Sequence, residues 1–423
     1  MLYVCTLFNK ARDSHPLITG VYDSSADSWD VYPLYLPGTG KTLWTVDKNI
    51  AKIRDIILDS KSVALNDYKQ HIVAFNIGKQ HDRHNVYDVD APCRISKNVG
   101  FKECCKNIIK IVKQMRGVKL SYWHVVRANA AVPYAYLQRR GVRHNYSIKH
   151  PIYGWVFSGR SKTSGFNIQG LSENERISAC NSDRLFVQFD WVAADMRVIA
   201  LMSKDQKLSD SFICSDPYQY FIDHANVGWE KEKQLKRSEG KDAVLSSVYS
   251  LRVGADDPAM LFYDGLAKWI IEQTSKLSTR KYLRSVLGRK FGVPKDRTAK
   301  SAFNAMVQGS VAHAMQICFR KVWDTYPDSI LTENHDSLVV TSSEADLKAK
   351  IVDIASIMVQ PFKGILSNNP QFPVRVSVGL EYRKWRTYKR FNSYEQVTKK
   401  AQTRTKAESS EIRKAQKKNF FKT

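Results

Sequence analysis

Leu185-Phe-Val-Gln-Phe-Asp-Trp-Val-Ala-Ala-Asp-Met-Arg197 is the stretch on which the reading of this 423-residue chain turns. Its first half is an apolar, β-type run that reads as a buried strand ending at Asp190, and its second half opens a helix with apolar Met196, Ile199, Ala200 and Met202. A second run, Asn334-His-Asp-Ser-Leu-Val-Val340, reads as two short strands folded tightly about His335 and Asp336. Each carboxylate therefore stands where the chain leaves the core and meets solvent. Brought together, the two would hold a pair of divalent cations, the apparatus of phosphoryl transfer. Taken singly, a strand-end Asp is most often a turn former or a helix cap.

Other residues carry complementary chemistry. Arg237, Lys241, Leu245 and Tyr249 recur every four positions, so on a helix they form one slowly drifting stripe with two cations at its N-terminal end. A forked guanidinium and a compact ammonium one turn apart suit a triphosphate, and the tyrosine beyond them offers a ring for a base to stack on. The bland alternative is a solvated basic face. Asn304 and Gln308 have the same spacing on a helix running through Met315, and amides so placed can contact the minor-groove edges that all base pairs share.

Composition agrees with a polyanionic partner. Lys and Arg number 66 against 41 Asp and Glu, a formal charge of +25, and such an excess predicts binding that weakens as salt rises. The 43% hydrophobic content argues against general disorder, and the length suffices for two or three subdomains. No apolar run of 18 residues occurs, so no membrane span is expected. The seven cysteines show no CxxC spacing, which disfavours a zinc site or a disulfide framework and points to a reducing, cytoplasmic compartment. The N-terminus lacks the basic start of a signal peptide.

Five segments in order, covering Ser158 to Trp385, resemble the palm of family A DNA polymerases, the polymerase I type. They are Ser158-Gly-Arg160 with Asn167 and Gln169; the Asp190 block; Arg237-Ser-Glu-Gly-Lys241 leading to Tyr249; Ala302-Phe-Asn-Ala-Met-Val-Gln-Gly-Ser310; and His335-Asp336. The resemblance implies the α/β class: a right-hand polymerase with an α+β palm and fingers. It further implies catalysis by Asp190, Asp336 and Lys241, with the two aspartates holding two Mg²⁺ for which Mn²⁺ can substitute. Arg237, Lys241 and Tyr249 would receive the incoming nucleotide. Arg160, Asn167, Gln169, Asn304, Gln308 and His335 would contact DNA, Arg160 and Gln308 in the minor groove near the primer end. The implied partners are primer-template DNA and dNTPs, with room for replication accessory proteins, and the implied state is a monomer.

The implied domains are residues 1–98, a degenerate 3′–5′ exonuclease-like domain of ribonuclease-H type; 99–150, a short thumb-like helical segment; 151–212 and 300–395, the palm; 213–299, the fingers; and 396–423, a basic tail. Strands over Leu2–Phe8, Leu17–Tyr22, Val31–Leu36, Val63–Asn66 and Val86–Asp90, with a helix over Val46–Leu58, follow the exonuclease order loosely. Thr6, Phe8 and Gln70 stand where that domain expects acids, so no cleavage site, and hence no proofreading, is expected. Pro37-Gly-Thr-Gly-Lys-Thr42 imitates a phosphate-binding loop, yet its leading glycine would fall at Tyr35. The thumb is very short or missing, which implies low processivity. The tail carries nine Lys and Arg against Glu408 and Glu411, a solvated segment or a DNA-gripping arm.

Four departures from the family touch the site. Asp195 stands where a glutamate screens the ribose 2′ position, which implies looser sugar discrimination. Leu245 replaces an aromatic, Ser337 replaces the acid that follows the second aspartate, and Tyr218 falls where the family often has a phosphate-contacting histidine. Small size and a degenerate exonuclease region suggest a phage or plasmid enzyme, in the host cytoplasm if viral. Two rivals stand beside template-directed DNA synthesis: a single-subunit RNA polymerase, and a non-catalytic nucleic-acid-binding protein on a polymerase fold.

Overall fold

The computed structural model describes residues 2–9, 16–33, 46–59, 63–66, 86–89, 94–95, 101–116, 122–140, 142–144, 147–149, 151–171, 184–214, 216–227, 234–254, 256–293, 298–367, 370–379 and 386–391. Pro37 to Thr42, Gln70 and the 396–423 tail lie outside these residues. The chain divides into two compact units. Met1–Gly154, Thr163–Cys180 and Phe319–Leu331 form the first; Trp155–Lys162, Asn181–Cys318 and Thr332–Thr423 form the second.

In the first unit, β1 (Leu2–Asn9), β2 (Pro16–Asp23), β3 (Ser28–Pro33), β4 (Val63–Asn66) and β5 (Val86–Val89) make a mixed sheet in the order β3-β2-β1-β4-β5, with β6 (Arg94–Ile95) also on β1. β2 runs antiparallel to both its neighbours, and β1, β4 and β5 are parallel. The parallel step from β3 to β4 is bridged by α1 (Val46–Asp59), whose Ile53 and Ile57, one turn apart, are buried. α2 (Phe101–Arg116) buries Ile108, Ile111, Val112 and Met115 on one stripe. α3 (Tyr122–Arg140) is buried over most of its circumference and carries Pro133 within it. Two short hairpins follow, β7 (Val142–His144) with β8 (Ser147–Lys149), and β9 (Pro151–Trp155) with β10 (Ser161–Gly165).

The second unit has β11 (Leu185–Trp191) at the centre of a sheet. α4 (Ala194–Ser203), α5 (Gln206–Cys214), α6 (Pro217–Ala225), α7 (Arg237–Ser250), α8 (Pro258–Phe262) and α9 (Asp264–Arg280) succeed one another along the chain. A small ribbon of β12 (Tyr282–Arg284) and β13 (Lys290–Gly292) leads to the long α10 (Ala299–Thr325), which belongs to this unit as far as Cys318. β14 (Ile330–Asn334), β15 (Ser337–Ser342), α11 (Leu347–Val359), β16 (Val374–Gly379) and β17 (Arg386–Phe391) complete it, with sheet order β14-β15-β11-β16-β17. α11 packs on β11 and β16 through Ile351, Ile354, Ala355 and Met358, all buried. A second apolar cluster joins Met196 and Ile199 of α4, Phe221 and Ile222 of α6, Val244 and Val248 of α7, Trp269 of α9, and Phe303 and Met306 of α10.

Two close approaches fix the helices that matter most. The buried Asp205 carboxylate accepts the Leu208 amide at 2.7 Å and the Leu266 amide at 2.7 Å, capping α5 and α9 with one side chain. Gly265 permits this, since a Cβ there would stand 2.7 Å from Asp205 Oδ2. Likewise a Cβ on Gly309 of α10 would meet the Ser158 carbonyl oxygen at 2.7 Å, so the glycine lets the turn that ends at Arg160 lie against the helix. Gln316, two turns along α10, donates its Nε2 to the Gly159 carbonyl at 2.9 Å.

Because Asp205 satisfies two helix starts, Asp205→Ala should lower stability by about 2 kcal/mol, and Asp205→Asn, which keeps one acceptor, by about half as much. Denaturant midpoints of the three proteins check this; equal midpoints would show that the two caps contribute nothing.

Candidate active site

Strand alternation decides where Asp190 goes. Along β11, Leu185, Phe186, Val187, Phe189 and Trp191 are buried while Gln188 and Asp190 are only partly so, which puts the carboxylate on the face that opens beyond Phe186. Antiparallel register sets Asp190 opposite Ser337 of β15 on one side and opposite Arg375 of β16 on the other. The strand expected to end at Asp190 runs one residue further. The Trp191 amide donates to the Asp336 carbonyl at 3.1 Å and its indole Nε1 to the Met358 carbonyl at 2.9 Å, so Trp191 is held in the sheet. The chain then turns through Ala193, at φ 54°, into α4 with Asp195 in its first turn. A left-handed alanine is strained, and the strain lies between the two acidic residues.

β14 and β15 are joined by two residues, His335 and Asp336. His335 has φ 55°, a conformation that such tight hairpins usually give to glycine or asparagine. The Asp336 amide donates to the Asn334 carbonyl at 2.6 Å, and its carboxyl lies within reach of the Asp190 charge. Burial, then the Asp190 charge, pushes the Asp336 carboxyl up to about 6. Burial also raises Asp190, against the opposing pull of Arg375, whose Nη2 lies 2.6 Å from its Oδ2. Two partly desolvated carboxylates, one of which raises the proton affinity of the other, form a donor set suited to divalent cations. As pH falls through about 6, Asp336 takes up a proton and would no longer offer a charged ligand. Among the described residues no cluster of three His, Cys, Asp or Glu side chains occurs, so a cation here would complete its shell with water and substrate oxygens.

Asp195 is the hub of a second network. It accepts the Tyr249 hydroxyl through Oδ2, and Arg160 Nη2 lies 3.5 Å from Oδ1. α4, the fourth turn of α7 and the Ser158–Arg160 turn thus meet on one carboxylate. Burial and then the Asp195 charge raise the Tyr249 hydroxyl, keeping it a proton donor. His335 is held below its usual value by burial and then by Arg160, against the pull of Asp195, so it is neutral at pH 7.

The expected stripe forms on α7, though its members differ. Lys241 is exposed, and Leu245 packs partly on the apolar cluster. Arg237 bonds Asp216 Oδ2 at 2.9 Å and sits 5.4 Å above the Tyr218 ring. Asp216 in turn caps α6 through the Tyr218 and Gln219 amides. Tyr218 is buried beneath the guanidinium rather than offered to solvent, and burial raises its hydroxyl. It supports Arg237, so a direct phosphate contact is not its placement here.

Asn304 and Gln308 are partly buried on α10, the Asn304 Oδ1 without a protein partner. Asn167 and Gln169 belong to the first unit, where their side-chain oxygens close a local turn: Asn167 accepts Thr163 Oγ1 at 2.6 Å and Gln169 accepts the Thr163 amide at 2.9 Å. Three residues that the sequence did not single out belong to the second unit's site: Arg375, Asp216, and Glu333, which is buried and accepts the Ser161 hydroxyl beside the Arg160 turn. Arg375 interrupts the apolar Val374-Arg-Val376, and that cation within a strand was the available signal. A cavity of about 650 Å³, lined by Phe221, Leu235, Ala243, Ser247 and Phe262, lies against α7 and includes none of the candidate residues.

No protein-family profile and no curated protein matches this sequence. The structure is similar to a solved structure described as the POL domain of Pol1 from M. smegmatis in complex with DNA primer-template and dNTP. The two share 11% sequence identity over 90% of this chain and 96% of that one, with a TM-score of 0.63. At that identity the likeness is one of fold: the arrangement of elements in this chain is that of a DNA polymerase domain.

Proposed function

We propose that the chain is a template-directed DNA polymerase that adds deoxynucleotides to a primer 3′-hydroxyl. The observation that carries this reading is Asp190 on the sheet beside the β14–β15 hairpin that bears Asp336, close enough that the Asp190 charge adds to burial in raising the Asp336 carboxyl to about 6. The likeness to a polymerase domain that was solved with primer-template and dNTP supports it.

Asp190 and Asp336 would hold two Mg²⁺ or Mn²⁺. When bound, such ions lower the pKa of the attacking hydroxyl and neutralise charge on the phosphoryl and leaving oxygens. Lys241 and Arg237 would meet the triphosphate at the N-terminal half of α7, where the helix dipole favours anions. Asp216 and Tyr218 hold Arg237 in one orientation for that contact. Tyr249 would face the templating pair, and its hydroxyl, which donates to Asp195, would orient that carboxylate toward the sugar of the incoming nucleotide. Arg160 and neutral His335 would flank the primer terminus, and Asn304 and Gln308 would touch the minor groove.

The mixed sheet of the first unit, with α1 between β3 and β4, supports reading residues 1–98 as a ribonuclease-H-like domain. The non-acidic Thr6 and Phe8 on β1 support its lack of proofreading. Helices α2 and α3 fall within the 99–150 segment assigned to a short thumb.

Extension of a labelled primer tests the proposal, with dNTPs and NTPs offered separately. Asp190→Asn or Asp336→Asn should cut extension by at least about 10²-fold while leaving duplex binding nearly intact, because a lost metal ligand damages the transition state more than the basic surface. Extension surviving at a few per cent of wild type in either variant would sink the assignment.

Lys241→Ala should raise the dNTP concentration needed and slow incorporation, with little change in DNA affinity. Loss confined to DNA affinity would return the α7 stripe to a solvated basic face.

Sugar choice follows from Asp195. Its shorter side chain leaves a gap of about one carbon beside the ribose, a difference worth about 1–3 kcal/mol in discrimination, so Asp195→Glu should favour dATP over ATP more strongly than wild type. Competing the two nucleotides on one template measures the ratio, and an unchanged ratio would mean that Asp195 does not face the sugar.

A further inference from the structure

We infer that Arg375 is a displaceable counter-ion for Asp190, which a divalent cation must push aside, so that this arginine sets the metal concentration at which the site loads. The inference rests on the proposed role of Asp190 and adds a residue to it. The cross-strand row Ser337, Asp190, Arg375 puts the guanidinium on the same face of the sheet as the carboxylate, directly opposite it. Nη2 lies 2.6 Å from Oδ2, a charge-assisted hydrogen bond on an oxygen that a cation would need.

The exposures of the two partners are unequal. The Asp190 side chain is 22% exposed and that of Arg375 is 55% exposed. A carboxylate so far desolvated needs a positive partner, whereas the arginine can leave for water on its long stem at little cost. Ser337 strengthens the argument from the other flank. It contributes no charge to the row and gives its hydroxyl to the Asn334 carbonyl at 3.3 Å, so Asp190 has a single charged cross-strand neighbour, and that neighbour is a cation. The local charge balance of an Asp190 paired with Arg375 is close to zero, which disfavours a second cation until the first has moved. Register continues the row to Arg390 on β17, so the one position beyond Arg375 is basic as well.

Mn²⁺ binding measured from the electron paramagnetic resonance signal of the free ion, without DNA or nucleotide, reads this directly. Arg375→Met and Arg375→Gln should each bind Mn²⁺ about fivefold more tightly than wild type, the size expected for removing one partly exposed ion pair. Arg375→Lys, which keeps the charge, should stay near wild type, and Asp190→Asn should lose the site. The two neutral variants guard against one that misfolds, with circular dichroism as the check. Wild-type affinity in both neutral variants, alongside loss in Asp190→Asn, would overturn the counter-ion role and leave the polymerase reading standing. Wild-type affinity in Asp190→Asn and Asp336→Asn would remove the metal assignment itself, and this inference with it.

Discussion

Antiparallel pairing of β11 with β15 and β16 is the constraint on which the chemistry of this chain depends, because register and alternation together choose the face on which Asp190 emerges. A slip of one residue would send that carboxylate into the layer covered by α11 and bring Phe189 out to the open face. Such a slip is prevented by the apolar residues of the covered face, among which Val187 and Phe189 are fully buried. Packing that looks purely structural on one face of the sheet thereby fixes an electrostatic site on the other.

The same economy recurs in the helices. Asp195 receives the Tyr249 hydroxyl and lies beside Arg160, so a single carboxylate joins the start of α4, the end of α7 and the turn held on α10 by Gly309 and Gln316. A movement of α7 would be felt at Arg160 without any contact between the two elements' backbones. Strain gathers in the same region. Ala193 and His335 both adopt left-handed conformations, and each lies beside an acidic residue of the site. Left-handed residues of this kind cost energy and persist only where surrounding structure holds them; here the Trp191 amide bonded to the Asp336 carbonyl, and the Trp191 indole bonded to Met358, do the holding.

Charge is distributed with similar consistency. The acidic residues of the site are partly buried, with Arg160 beside Asp195, Arg375 beside Asp190 and Arg237 beside Asp216, and the whole chain carries +25. Among the described residues no helix is long and apolar enough to cross a membrane. An acidic centre within a basic surface suits a substrate that is itself a polyanion and reacts through cations.

Local pattern alone was enough for the elements. The first two strands of the first unit, the strand and helix around Asp190, the tight turn at His335-Asp336 and the four-residue stripe of α7 appear where periodicity and turn chemistry put them, because those signals come from neighbours within a few positions, whereas β3 covers Ser28–Pro33 instead of the expected Val31–Leu36. Pattern offered Asp190, Asp336, Arg237 and Tyr249 as candidates, and the family resemblance singled out these and Asp195. Partnerships were a different matter. That Arg375 sits on Asp190, that Asp216 and Tyr218 restrain Arg237, and that Asn167 and Gln169 spend their side-chain oxygens on Thr163 depended on which strands pair and in which register. Residues 190 and 375 are 185 positions apart, a separation at which no local signal survives, and only the closing of the sheet brings their charges together.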